Sequence, residues 1–151
     1  MKNNCCDTHL TEDEIQDLLS GHGISRTKIK TQILLTLSKS KEPLSATAIH
    51  QLIGQENCNI STVWRGLKQF HERGIVSEVN LGEDFFRYEL KNLGSNEHHH
   101  HHVRCRICGV IQHLEECDLS EIERKISKLG FNKLEHSLEF TGLCSKCSRK
   151  K

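Results

Sequence analysis

Cys105 and Cys108 form one Cys-x-x-Cys pair, and Cys144 and Cys147 form another. A Cys-x-x-Cys turn lets both thiolates face one metal. Two such turns complete a closed tetrahedral shell of four sulfurs, the donor set of structural zinc. Such a shell leaves no position for substrate, so these four residues are expected to serve folding rather than catalysis. A run of five histidines, His98 to His102, stands immediately before the first pair in "HHHHHVRCRICG". Side chains along a strand alternate between faces. His98, His100 and His102 would therefore point one way and His99 and His101 the other, so one short strand could feed two metal sites. Imidazole suits zinc, iron, nickel and copper, and donor type alone selects none of them. A solvated polar tract is the competing reading of the run.

Three more residues bear on that choice. His136 sits on the apolar side of the alternating stretch "KLEHSLEF", where a lone inward histidine is usually a satisfied core residue. His113 follows Cys108 where a second strand would return beside the first. Glu89 closes the strand that precedes the polar segment "KNLGSN". A metal shared by Glu89 and the histidines would tie two domains together and bias their angle, which is the physical form of a switch. Cys5, Cys6, Cys58 and Cys117 read as ordinary reduced thiols. Cys117 is the one nearest the inferred histidine cluster.

These ligands need a scaffold. "LTEDEIQDLLSG" predicts a helix capped by Thr11 and Glu14, with Leu10 and Ile15 as a hydrophobic staple. "TKIKTQILLTLSKS" follows, with Ile29, Ile33, Leu34 and Leu37 on one stripe. Ser45 caps "SATAIHQLI", and Asn59 or Ser61 caps "TVWRGLKQFHERG", whose Val63, Leu67 and Phe70 face inward. "IVSEVNL", "GED" and "FFRYEL" read as a hairpin. Helices followed by a hairpin make a winged helix-turn-helix. The outer face of the last helix carries Ser61, Thr62, Trp64, Arg65 and Lys68, donor groups suited to phosphates and base edges. Any small helical domain has a polar outer face, so the pattern alone leaves DNA binding open. Downstream, "CDLSEIERKISKLG" predicts a helix with Leu119, Ile122, Ile126 and Leu129 on one face. Asp118 and Glu121 would start it and Gly130 would end it. "KLEHSLEF", residues 133–140, predicts a strand with Leu134, His136, Leu138 and Phe140 on one side.

Composition sets the outer bounds. At 151 residues the chain suits one ordinary domain or two small ones. Only 35% of residues are hydrophobic, with one Trp and one Tyr, so two small domains helped by metal or dimerisation fit better than one large core. No apolar run reaches the roughly 20 residues needed to span a bilayer, and the N-terminus lacks a signal-peptide core. A cytoplasmic protein that does not engage membranes is expected, with reduced cysteines serving metal. Net charge is +1, but its distribution is uneven: five Lys or Arg and no acid from Gly21 to Lys41, against five acids and one Lys from Met1 to Ser20. The acid-free block is a local patch that a phosphate backbone would favour.

Taken together, "STVWRGLKQFHERGIV", "RYEL", "HHHHHVRCRICG", "HSLEFTGLC" and "CSKC" resemble the ferric uptake regulator family, over about residues 10 to 148. Within that family the chain is closest in character to the zinc uptake regulators. The resemblance implies an α+β protein: a winged helix-turn-helix domain, residues 1–90 with 1–9 mobile; a linker, 91–97; and a small α/β dimerisation domain, 98–151, with a four-cysteine zinc site. It implies a homodimer that binds a palindromic duplex operator when loaded with metal. Cys105, Cys108, Cys144 and Cys147 match the structural zinc ligands. Glu89, His100, His102 and His113 match an interdomain sensory site. His99, His101 and His136 match a second site, to which Glu121 adds an acid although Ser120 aligns there. Thr62, Trp64 and Arg65 match the family's Thr-Tyr-Arg of the recognition helix, and Lys30 matches a basic DNA-contacting position; Lys28 and Lys68 are placed on the phosphate backbone.

The departures from the family pattern carry information. Trp64 replaces a Tyr, Pro43 stands where iron and peroxide sensors carry a His ligand, His113 stands where a carboxylate is common, and His101 replaces an Asp. His113 and His101 shift the donors from oxygen toward nitrogen, and Pro43 removes a fifth donor. The expected regulatory metal is therefore zinc, with Fe2+ or Mn2+ as alternatives, and the expected function is a repressor controlling metal uptake genes. An iron- or peroxide-sensing member of the family is the runner-up. A zinc hydrolase would need an open metal beside a general base, and no such motif is present. A metal store would leave the helix-turn-helix without a purpose.

Overall fold

The computed structural model describes residues 9–91, 101–114, 118–134, 136 and 138–149. His98, His99, His100 and Cys117, most of the expected linker and nearly all of the expected mobile arm lie outside the described residues. The chain divides into two compact units, Met1–Asn96 and Glu97–Lys151.

The first unit is built on capped helices. Helix α1, Glu12–Gly21, begins with a complete capping box: the Thr11 hydroxyl accepts from the Glu14 amide, and Glu14 accepts from the Thr11 amide at 2.8 Å. Thr27 caps α2, Lys28–Lys39, and Ser45 caps α3, Ala46–Ile53. Asn59, not Ser61, caps α4, Ile60–Glu72. The helices close over one core in which Ile15, Leu19, Ile33, Leu34, Ile49, Val63, Leu67 and Phe70 are fully buried. Where α2 and α4 cross, a Cβ on Gly66 would lie 2.9 Å from the Ile33 Cδ1, so a small residue lets the two backbones approach.

A three-stranded sheet flanks these helices, in the order β1 (Leu44–Ser45), β3 (Arg87–Leu90), β2 (Val76–Val79). The hairpin strands are shorter than the hydrophobic pattern predicts, and their loop is longer than "GED". Local side-chain bonds replace the ladder there. The Gly82 amide donates to Asn80 Oδ1 at 3.0 Å, and Arg87 makes two bonds to the Glu83 carboxylate, at 2.6 and 2.9 Å. Arg87 also donates to the Pro43 carbonyl at 3.3 Å, fastening the hairpin to the segment before β1. Strand β1 has only two residues, too few for a period-2 signal.

The second unit is a sheet ordered β5 (Ile111–Leu114), β4 (His101–Cys105), β6 (Glu139–Gly142). β4 and β5 are antiparallel around the Cys-x-x-Cys-Gly turn, in which Gly109 takes a φ of +73°. β4 and β6 are parallel, with α5 (Ser120–Ser127) in the connection and the short α6 (Ser145–Ser148) at the end. Two expectations change here. The strand expected over residues 133–140 forms only from Glu139, because its register on β4 starts at His102↔Glu139; Lys133 instead adopts a φ of +53°. Helix α5 is present but starts at Ser120, and Asp118 accepts from the Ser120 amide and hydroxyl rather than capping α5 from its N-cap position, which Leu119 fills. No residue of α5 is buried within the chain. Among the described residues no helix is long and apolar enough to cross a membrane.

Candidate metal centres and DNA-facing surface

The four cysteines converge. Cys105 ends β4, Cys108 lies in the turn after it, Cys144 precedes α6 and Cys147 lies within it. Their sulfurs all fall within 4.8 Å of one another, and Cys108 Sγ lies 3.7 Å from Cys144 Sγ. Tetrahedral zinc with bonds of about 2.3 Å sets its sulfurs about 3.8 Å apart, so the arrangement fits that ion. Backbone amides prepare the site for negative charge. Those of Cys108, Cys144 and Ile107 pull the Cys105 thiol down to about 5. The neighbouring sulfurs of Cys144 and Cys108 push Cys147 up to about 12. Four thiolates repel one another at this spacing, and a divalent cation would remove that penalty.

The histidines separate by face. His101 and His102 are successive residues of β4, both buried, with each Nε2 shut off from solvent. His102 lies directly across from His113 on β5, their rings 4.8 Å apart. The His101 ring lies 5.3 Å from that of His136. The alternation of one strand thus brings together two imidazole pairs on opposite sides of the sheet. Glu89 belongs to the other unit, on β3 opposite Ser77. His99 and His100 lie outside the described residues.

The two acids of α5 lie in different surroundings. Glu121 forms an exposed pair with Lys125 at 2.9 Å. It is Glu123 whose carboxylate approaches His136 Nδ1, at 3.8 Å. Helical spacing explains this: Leu119, Ile122, Glu123 and Ile126 share a face, and Glu121 and Lys125 lie away from it. The apolar stripe was the available signal, since an acid beside it outranks one opposite it.

On the first unit, Ser61, Trp64, Arg65 and Lys68 are exposed along α4, and Thr62 is half-buried. Arg65 is drawn back along its own helix, Nε donating to the Ser61 carbonyl at 3.3 Å. Lys68 lies 3.9 Å from Glu72 in an exposed pair. Lys28 opens α2 and is exposed, whereas Lys30 folds back, its ammonium donating to Ser25 Oγ at 2.9 Å. Tyr88, which sequence reasoning passed over, meets the Trp64 ring edge-on at 6.2 Å. Burial and then the Glu78 carboxylate push its hydroxyl up to about 12, so the ring stays neutral. Trp64, Arg65, Lys68, His71 and Tyr88 line an open groove between α4 and the hairpin.

A winged helix-turn-helix followed by a four-cysteine cluster and facing histidine pairs agrees with the match of residues 21–141 to the ferric uptake regulator family. The chain belongs to that family. It is 31% identical over 121 residues to the ferric uptake regulation protein of Bacillus subtilis (strain 168), covering 78% of this chain and 80% of that one. It is 30% identical over 145 residues to the peroxide-responsive repressor PerR of Staphylococcus aureus (strain Mu50), covering 94% of each. The structure of a ferric uptake regulator from Francisella tularensis with iron superposes with a TM-score of 0.71 at 27% identity, over 84% of this chain and 96% of that one. The family's members are metal-responsive DNA-binding transcriptional regulators rather than enzymes, and so is this protein.

Proposed function

We propose that the protein is a cytoplasmic, homodimeric repressor that binds a palindromic operator when it senses zinc and thereby controls metal uptake genes. Zinc held by Cys105, Cys108, Cys144 and Cys147 is structural. Sensing falls to Glu89, His100, His102 and His113, and a second site uses His99, His101 and His136 with Glu123 as its acid. Thr62, Trp64 and Arg65 read the operator; Ser61, Lys28, Lys30 and Lys68 hold its backbone. Val103, Leu114 and Phe140 lie on one sheet face and are exposed, as are Ile122 and Leu129 around α5. Apolar surface of this kind in so small a unit is what a second copy would cover.

The observation that carries the choice of metal is the His102–His113 pair, two imidazoles whose rings meet edge-on 4.8 Å apart where an oxygen donor is common in the family. Zinc is satisfied by four nitrogen, oxygen or sulfur ligands, whereas ferrous iron favours more oxygen donors. Pro43 is buried and offers no side-chain donor. Iron or peroxide sensing is the second reading, favoured by the two regulators that are 30–31% identical to this chain. The test is duplex binding by protein already holding its structural zinc, titrated with buffered zinc and, anaerobically, with ferrous iron. Zinc should promote binding at free concentrations where iron does not, and His113→Ala should abolish the response. Activation by iron alone, with His113→Ala harmless, would overturn the zinc assignment.

A further inference from the structure

Trp64 and Tyr88 are the only Trp and the only Tyr of the chain, and their rings meet. The centroids lie 6.2 Å apart with the planes at 80°, an edge-to-face pair. The two rings are held very differently. Tyr88 stands on β3, the central strand of its sheet, with Leu44 opposite on β1 and Glu78 opposite on β2. It is 3% exposed and belongs to the core of the first unit, so packing fixes its position. Trp64 is 42% exposed on α4, and among the described residues its indole N–H makes no hydrogen bond. A side chain so exposed would otherwise move among several rotamers on a fast timescale. Trp64, Lys68 and His71 recur at helical spacing along the flank of α4 that borders the groove, and Tyr88 and Glu78 line it from the hairpin.

We propose that Tyr88 is a positioning residue for Trp64: the hairpin fixes the orientation in which α4 presents its aromatic side chain, and selectivity at the base that Trp64 meets depends on a residue too buried to reach DNA itself. Indole is a donor only, through Nε1. In one orientation it offers that donor to purine N7, guanine O6 or thymine O4. Turned over, it offers carbon, which suits the thymine methyl group. A ring free to take both orientations would prefer neither kind of base edge. Held by Tyr88 before contact, it prefers one, and less freedom is lost on binding. The Tyr88 hydroxyl is engaged by the Glu78 carboxylate, so the ring rather than the hydroxyl serves Trp64. A competing role is purely structural: Tyr88 fills part of the core, and its loss could loosen α4 as a whole.

The experiment uses the full-length protein and a duplex selected by the wild type from a random pool, with Zn2+ or, anaerobically, Fe2+ present. Because the chain has one Trp, its fluorescence reports Trp64 alone. In the wild type, Trp64 anisotropy should decay with tumbling of the protein. Dominance of fast local rotation would overturn the positioning role without recourse to any variant. Tyr88→Leu should make that rotation fast, weaken duplex binding by about three- to tenfold, and flatten base preference at the position that Trp64→Leu also affects. Tyr88→Phe keeps the ring and should match the wild type in all three respects. In a Trp64→Leu background, Tyr88→Leu should weaken duplex binding no further. Additive losses in that double variant, or a loss in Tyr88→Phe equal to that in Tyr88→Leu, would overturn the positioning role and leave Trp64 as a reading residue. Tyr88 can act in this way only if Trp64 reads the duplex, so unchanged affinity and selectivity in Trp64→Leu would remove both roles together.

Discussion

The two units of this chain are held together by different physics. In the first, the fully buried residues are aliphatic or aromatic and come from every helix, so the fold follows from apolar burial and good caps. In the second, the most deeply buried of the described residues are Cys105, Cys147, His101, His102 and Ile111, four of the five being potential metal ligands. In α5, Glu123 and Ile126 are half-buried and no residue is fully buried within the chain. A unit of this size cannot gather enough apolar area alone, and a metal or a partner is the usual remedy. The contrast leads to an expectation: the first unit should stay folded whatever the metal supply, and the second should depend on it.

The largest effect that would sharpen this contrast is loss of the four-cysteine zinc. Cys105→Ser should release it and unfold the second unit, forfeiting much of a coupling worth about 10–16 kcal/mol in small zinc domains. Zinc analysis, sizing and circular dichroism should then show no metal, no dimer and persistent helix from the first unit. A folded, zinc-loaded dimer would break the comparison. Next comes Phe70→Ala in the first core, with an expected cost of about 3–5 kcal/mol by thermal or urea unfolding. Zinc content should be unchanged in that variant as long as it is folded. Smaller again is Arg65→Ala, which should weaken operator binding by about 1–3 kcal/mol and relax sequence preference, with no loss of stability. Unaltered specificity would remove Arg65 from the reading set.

The smallest effect belongs to the α1 cap, where Thr11→Ala should cost about 1 kcal/mol in chemical denaturation. The Thr11 amide and then its hydroxyl hold the Glu14 carboxyl below its ordinary range. The stabilisation from that bond is therefore present above the unfolded-state pKa of Glu14 and lost as pH falls through the lower folded value. A wild-type advantage over Glu14→Gln that did not shrink with acid would contradict the bonding described.

The same division explains what could be read from sequence. In the first unit, caps and apolar periodicity are local, so Thr11, Ser45, Asn59 and the α4 stripe identify their elements directly. What escaped was non-local or too short: the two-residue β1, and Tyr88, whose contact with Trp64 depends on how hairpin and helix meet. In the second unit, the two Cys-x-x-Cys pairs were legible because ligand spacing is itself local. The strand expected over residues 133–140 was not delimited by its alternation, because pairing with β4 rather than pattern decides where β6 begins. The approach of Glu123 to His136 depends on which face α5 turns to the residues before β6, which local sequence does not give.

The most direct test of the contrast is hydrogen exchange on the full-length dimer, followed by mass spectrometry of peptides from each unit, with zinc present and after its removal by chelation. The account predicts that amides of α2 and α4 keep their protection in both conditions, while those of β4, β5 and β6 exchange rapidly once zinc is gone. Equal protection of the second sheet with and without zinc, or simultaneous loss in both units, would contradict it.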